Sequence, residues 1–290
     1  MSIVPSAAAS SARAPAGDGV GPLLRGWRVR RRVSQLELLL RAGSSARHIS
    51  FVETGRARPS QEMVLRLAEH LDVPVRERNT LLLAAGYAPF FPQTPLGDPS
   101  MAALREGMER LLRGYEPYPA LVVDAAYDVL AANRGIALLL DGVAEELLGP
   151  PPNAMRLTLH PEGLAPRIRN LRAWRGHLLA QMDRQIALHR SDALRALHDE
   201  VAAYPPPGTG GTGERAPEGG AGPDDEAGPA AGVPAFALPL RIEHAGRVLS
   251  FVSSIATFNT PTDVTVAELA IETFLPADPA TAAYLHASTP

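Results

Sequence analysis

Residues 45–59 read SARHISFVETGRARP, and the arginines at 47, 56 and 58 are suited to meeting an anion or a base edge. A guanidinium can give two parallel hydrogen bonds to a phosphate, or to guanine O6 and N7 in the DNA major groove, where such a contact discriminates by about 1–3 kcal/mol. Arg47 is therefore the candidate base reader. Ala46 can touch a thymine methyl, and Ser50 can bond a base or a phosphate. Ser45 caps the helix that carries them and belongs to the same DNA-facing end. Gln35, at the start of a preceding helix, is placed to hold a phosphate together with backbone N–H groups. Arg28, Arg30, Arg31, Arg32, Arg56 and Arg58 read as phosphate ligands, whose contribution is independent of sequence and weakens with salt.

These side chains need a scaffold that puts them on one face. Ser34 is placed to cap a helix of about 34–41 containing Leu36, Leu39 and Leu40, and Ala42-Gly43-Ser44 breaks it. A further helix over about 45–53 has Ile49 and Val52 three apart on its inner face, which leaves Ala46, Arg47 and Ser50 outside, and it stops at Thr54-Gly55. One helix precedes this pair, with Leu23, Leu24, Trp27 and Val29 on its apolar side. Two follow: one over about 61–71 burying Val64, Leu65, Leu67, Ala68 and Leu71, and one opened by Pro74 and ended at Gly86. A short helix, a three-residue turn with glycine and a second capped helix have the helix-turn-helix spacing.

Charge is segregated in the same sense. The chain carries −3 in total, but residues 20–60 hold nine arginines against Glu37 and Glu53, which is +7, and residues 61–290 hold 18 arginines against 28 acids, which is −10. A basic segment on an acidic body implies one polyanion-binding face. An arginine run can also be a merely solvated face; here spacing, caps and charge agree on nucleic acid. All 28 basic residues are arginine, as GC-rich codon usage would also produce, so arginine use alone implies no mechanism.

Length and composition bound the rest. At 290 residues the chain exceeds one average domain, and with no cysteine it can hold neither a disulfide nor a thiolate metal site. Residues 1–19 lack the basic start and apolar core of a signal peptide and read as a disordered tail, and no run of about 18 apolar residues offers a membrane span. A cytoplasmic protein without membrane association is expected. No Ser/His/Asp arrangement, phosphate loop or metal-spaced cluster stands out, so the chain reads as no enzyme, with no catalytic residues, no metal and no required cofactor. His160 and His177 have no second ligand at metal spacing.

After a helix-turn-helix domain at 20–86, residues 87–99 contain four prolines and form a linker or packed connection. Residues 100–290 mix helix and strand signals. Helices are expected over about 100–113, 133–148 and 165–190, the last with Ile168, Leu171, Trp174 or Arg175, Leu178 and Met182 at helical spacing. Strand signals come from ALVVDAAYDVLAAN, read as two strands around a turn, and from FALPLRIEH, RVLSFVSSIATF and ELAIETFL; the last would also pass as a helix. Asn133 reads as a helix cap or a site residue. Residues 205–234 are a low-complexity insert of Pro, Gly, Ala, Thr and acids. The fold class is α+β, with about five strands in the second domain.

The run LLRGWRVRRRVSQLELLLRAGSSARHISFVETGRARPSQEMVLRLAEHLDV resembles the Xre (Cro/C1-type) helix-turn-helix domain, a five-helix lambda-repressor-like fold, through Ser34-Gln35, Ala42-Gly43, Ile49-Ser50, Glu53-x-Gly55 and Pro59-Ser60. Ser44 departs from the apolar residue common there. YPALVVDAAYDVLAANRG, LHPEGLAPRIRNLRAWRGHLL and TFNTPTDVTVAELAIETFLPAD resemble the MmyB-like regulators, whose second domain is a PAS-like ligand-binding domain. The resemblance implies a DNA-binding transcription regulator acting as a homodimer on an operator, with a small apolar ligand, a fatty acid or other long-chain acyl compound, in its second domain. Compatible walls are Leu171, Trp174, Leu178, Met182, Phe236, Leu238, Leu240, Phe251 and Ile255, each equally readable as plain core. Arg167, Arg169 and Arg175 could anchor a carboxylate or simply be solvated. The competing reading makes the second domain a ligand-free protein-interaction or dimerisation module.

Overall fold

The computed structural model describes residues 19–43, 46–189, 191–205 and 237–288. The expected tail up to residue 18, Ser45, Phe236 and nearly all of the insert at 205–234 lie outside the described residues. In chain order the helices and strands are α1 (Val20–Arg30), α2 (Gln35–Ala42), α3 (Ala46–Glu53), α4 (Gln61–His70), α5 (Val75–Ala84), α6 (Ala102–Gly114), β1 (Ala120–Val123), β2 (Val129–Ala132), α7 (Gly135–Leu140), α8 (Ala154–Leu159), α9 (Leu171–His189), α10 (Asp192–Ala202), β3 (Leu240–His244), β4 (Arg247–Thr257), α11 (Val264–Ala267), β5 (Ala270–Pro276) and α12 (Pro279–Ser288). The described residues fall into two compact units, one made of those up to Thr94 plus Asn259–Ala267, the other of those within Pro95–Phe258 and from Glu268 on.

In the helical unit, local chemistry sets the ends of the elements. Ser34 Oγ accepts from Glu37 N at 3.0 Å to start α2, and Gly43, at φ 59°, ends it in the left-handed conformation that glycine adopts without a Cβ clash. Ser60 starts α4 in the same way, accepting from Met63 N at 3.2 Å. Gly21 allows α1 to meet the end of α3 closely, since a Cβ there would lie 2.3 Å from the Val52 carbonyl oxygen. Leu24, Trp27, Leu38, Ile49, Val52, Val64, Leu67, Leu71, Leu81 and Leu82 form the core. On α2, Leu38 and Ala42, one turn apart, are buried, whereas Leu36 and Leu40 are exposed. An eight-residue helix can offer the core one stripe, and that stripe is the i, i+4 pair. Val29 is exposed as well.

The proline-rich residues after α5 are tied down. Asn79 Oδ1 accepts from Phe90 N at 3.0 Å and Phe91 N at 3.1 Å, and its Nδ2 donates to Phe91 O at 2.7 Å. Asn259–Ala267 completes the unit: Val264 N donates to Pro92 O at 2.8 Å, and Asp263 accepts from Thr94 N at 3.1 Å and Thr265 N at 2.7 Å. A stretch whose sequence lies between two strands of the second unit thus folds with the first.

The second unit is built on one five-stranded antiparallel sheet in the order β2-β1-β5-β4-β3. Alternation along the strands gives it two apolar faces. Ala120, Val122, Leu130 and Ile271 pack with Met108 and Leu112 of α6 on one side. Leu121, Val129, Leu240, Phe251 and Phe274 face α7, α8, α9 and α10 on the other. All five expected strands are present, and ELAIETFL forms a strand. The helices expected at 133–148 and 165–190 are shorter: Asp141 and Gly142, at φ 73°, end α7, and Ile168 bridges to Ile242 of β3 before α9 begins. Asn133 caps no helix; buried, it accepts from Ala120 N at 3.0 Å and donates to Leu112 O and Tyr118 O, locking α6, β1 and β2 together. Asn153 is the cap, for the unexpected α8, through Met155 N at 3.1 Å and Arg156 N at 3.3 Å. Among the described residues no helix is long and apolar enough to cross a membrane.

Candidate nucleic-acid interface and ligand cavity

α3 carries Ile49 and Val52 into the core and leaves Arg47 exposed. The Arg47 guanidinium lies 5.1 Å from the Phe51 ring centroid, a cation–π contact that restricts an otherwise long and free side chain. Ser50 is half-buried, and its backbone carbonyl accepts from Thr54 Oγ1 at 2.7 Å. Nothing is described of the side chains of Ser45 and Ala46. Arg32 and Arg56 are exposed, Arg32 at φ 54° just past α1.

Arg28, Arg31 and Arg58, expected as phosphate ligands, are instead held by bonds within the fold. Arg28 gives Glu53 two hydrogen bonds, Nε to Oε1 at 2.6 Å and Nη2 to Oε2 at 2.9 Å, while its Nη1 donates to Val33 O at 3.0 Å. The pair is inside the fold, with side-chain exposures of 12% and 4%. Gln35 joins it, donating from Nε2 to Glu53 Oε2 at 2.7 Å, so its amide is turned inward rather than toward a backbone phosphate. Burial alone would raise the Glu53 carboxyl; the bonds from Arg28 and Gln35 outweigh burial and hold it below the usual range. Arg31 caps the end of α4 through Leu71 O and Asp72 O, and Arg58 donates to Ala85 O at 3.1 Å and Gly86 O at 3.4 Å beside the Tyr87 ring. Arg30 lies over the Trp27 ring at 4.2 Å.

In the second unit an internal cavity of about 70 Å³ lies between the sheet and the helices, walled by residues of β1, β2, α7, α8, α9, β3 and β5. Trp174, Leu178 and Leu240 of the expected walls border it, together with Leu121, Val129, Ile136, Leu139, Met155, Leu157, Leu164 and Phe274. Met182 and Phe251 are fully buried in the core, and Leu171 packs at its edge. Ile255 and Leu238 are corrected outright, since they are 47% and 39% exposed. A second hollow, along α6 by Ala103, Leu104, Gly107, Leu111 and Phe258, is open to solvent.

Among the described residues one carboxyl borders this cavity, and sequence reasoning missed it. Glu272, on β5 between the buried Ile271 and Thr273, faces away from α6 with Phe274 and toward the cavity. It is half-buried where it borders that space, and desolvation pushes its carboxyl up to about 7. The signal was an acid in the middle of an apolar strand run. The expected carboxylate anchors are engaged elsewhere: Arg175 donates to Tyr204 O at 2.8 Å and Ala202 O at 2.7 Å at the end of α10, Arg167 bonds Leu139 O, and Arg169 pairs with Glu243. His177 stacks on Trp174 at 5.6 Å and His160 meets Tyr204 edge-on at 4.9 Å; among the described residues no group of three or more potential ligands could hold a metal.

A capped helix-turn-helix with an exposed arginine on its second helix, joined to a sheet-and-helix unit around an apolar cavity, defines a ligand-binding DNA regulator. Comparison agrees: a family described as helix-turn-helix matches residues 24–78, and the MmyB-like transcription regulator ligand binding domain matches residues 104–287, more than half of the chain. The protein belongs to the MmyB-like transcription regulators. No curated protein matches it.

Proposed function

We propose that this regulator acts in the cytoplasm as a homodimer on paired operator half-sites, reads bases with Arg47, Ser50 and Ala46 of α3, and changes its DNA affinity when an apolar molecule enters the PAS-like second domain. Arg32 and Arg56 add phosphate contacts. The apolar cavity beneath the sheet is the observation that carries this reading. At about 70 Å³ it is far smaller than the roughly 300–1,000 Å³ of established ligand sites, so an occupant must repack its walls. Such a ligand binds the repacked arrangement better than the closed one, and that difference is what shifts a regulator between states. β5 carries Glu272 and Phe274 on the wall, and the chain just before it, Asn259–Ala267, folds with the helical unit. The cavity wall and the DNA-binding unit are therefore covalently continuous at this point. An acyl chain satisfies the apolar walls. The competing reading, a ligand-free interaction module, draws support from the open groove along α6.

Binding to operator and random duplexes tests the DNA half. Arg47→Ala is expected to lose about 1–3 kcal/mol of preference for the operator while keeping salt-sensitive binding to random DNA. A footprint with unchanged sequence preference would remove Arg47 from the base-reading role. Organic extraction and native mass spectrometry of the purified protein separate a sensor, which carries or takes up an apolar molecule, from an interaction module.

A further inference from the structure

Among the described residues the carboxyl of Glu272 is the one charged group that borders the cavity. Glu272 stands opposite Leu121 of β1 and Ile255 of β4 in the sheet register, and Ile136, Leu157, Trp174, Leu178 and Phe274 share the wall with it. Among the described residues none donates a hydrogen bond to its carboxyl, and the titratable group that interacts with it electrostatically is the Tyr127 phenol, which accepts from Gln181 Nε2 at 3.5 Å. Two further polar groups border the cavity, the Trp174 indole N–H and the Thr158 hydroxyl, and the latter donates its proton to Ala154 O at 2.7 Å. An unanswered carboxyl in an apolar enclosure is costly in its charged form, and an incoming group can relieve that cost.

We propose that Glu272 is the polar anchor of this cavity and selects an apolar molecule bearing a basic nitrogen. The inference rests on the reading of the second domain as a small-molecule sensor and names the chemical class it takes. An ammonium brings both the missing charge and hydrogen-bond donors, and a charge-assisted bond of this kind is roughly twice as strong as a neutral one. A ligand carboxylate would instead place two acids side by side at an apolar wall, where like charges oppose each other and Arg167, Arg169 and Arg175 are bonded elsewhere. A neutral alcohol or carbonyl would gain less, because it leaves the ionised carboxyl uncompensated.

The test uses the full chain and three probes of one shape: octylamine, octanol and octanoate, titrated by calorimetry at about pH 8, where Glu272 is ionised. Octylamine should bind at least about tenfold more tightly than octanoate, with octanol between them. In Glu272→Gln, which keeps the side-chain shape, the amine preference should disappear while octanol affinity stays within about threefold. Octanoate binding as tightly as octylamine to the unaltered protein overturns the assignment without any variant having to fold, and so does an amine preference that survives in Glu272→Gln. Equal binding of all three probes removes Glu272 as anchor but leaves an apolar sensor standing, whereas failure of every probe to bind overturns the sensor reading as well.

Discussion

Glu53 and Glu272 are both surrounded by protein, one in each unit, and their surroundings differ in kind. Glu53 meets two bonds from Arg28 and one from Gln35, so its charge is completed from within and its carboxyl is held low. Glu272 shares its cavity wall with leucines, a tryptophan and a phenylalanine, and desolvation drives it up to about 7. An internally satisfied charge holds helices together. One that is left open on a cavity wall gives that cavity a chemical preference.

The largest effect expected from breaking this contrast comes from Glu53→Ala. It leaves Arg28 buried without its partner, and a broken buried pair costs about 3–5 kcal/mol, seen as earlier thermal unfolding of the helical unit and weakened DNA binding. Because the folded carboxyl lies below its ordinary 4.5, this stabilisation is present above that pH and fades as acid protonates the group. A loss below about 1 kcal/mol would mean that the pair contributes no more than a surface one.

Glu272→Gln should move stability the other way. The folded carboxyl is raised from 4.5 to about 7, so the native state holds its proton more tightly; stability is greatest below 4.5 and declines as pH rises through about 7. The glutamine variant escapes that decline. Denaturant unfolding should find it about 2 kcal/mol more stable than the unaltered protein near pH 8 and equal to it near pH 4, allowing for the part of the group that remains accessible. Equal stability at both pH values would show that the cavity does not desolvate the carboxyl.

The smallest effect belongs to Glu200, which is bonded as fully as Glu53 but at the surface. Arg156 reaches both its oxygens at 2.7 Å and Tyr204 donates to Oε1 at 2.6 Å; these bonds hold Glu200 down at about 2, while burial and the same carboxylate push Tyr204 up to about 12. The Arg156 and Glu200 side chains are 42% and 39% exposed, and solvent screens such pairs. A double-mutant cycle on Arg156→Ala and Glu200→Ala should give a coupling below about 1 kcal/mol. A coupling as large as that of the Arg28 and Glu53 pair would show that bond geometry, rather than enclosure, separates the two cases.

Much of the helical unit was legible because its signals are local. The serine cap at 34, the glycine at 43 and the spacing of Ile49 and Val52 act within one or two turns of chain, and each appears where its type requires. The five strands were legible by alternation. The arginines were not: nine along one segment look alike, and only packing separates Arg28, held by Glu53 across 25 positions, from the exposed Arg47. The cavity was legible in part. Trp174, Leu178 and Leu240 reach it, while Met182 and Phe251, equally apolar, fill the core beside it.

Residue types and spacing by themselves determined a basic helix-turn-helix joined to an acidic α+β unit, because caps, turns, periodicity and net charge are properties of neighbours along the chain. Which arginines stay outside, which apolar residues line space rather than fill it, and that Glu272 faces that space with no hydrogen-bond donor among the described residues were decided only in three dimensions. Those outcomes depend on groups brought together from distant parts of the chain, and burial or pairing exists only once they meet.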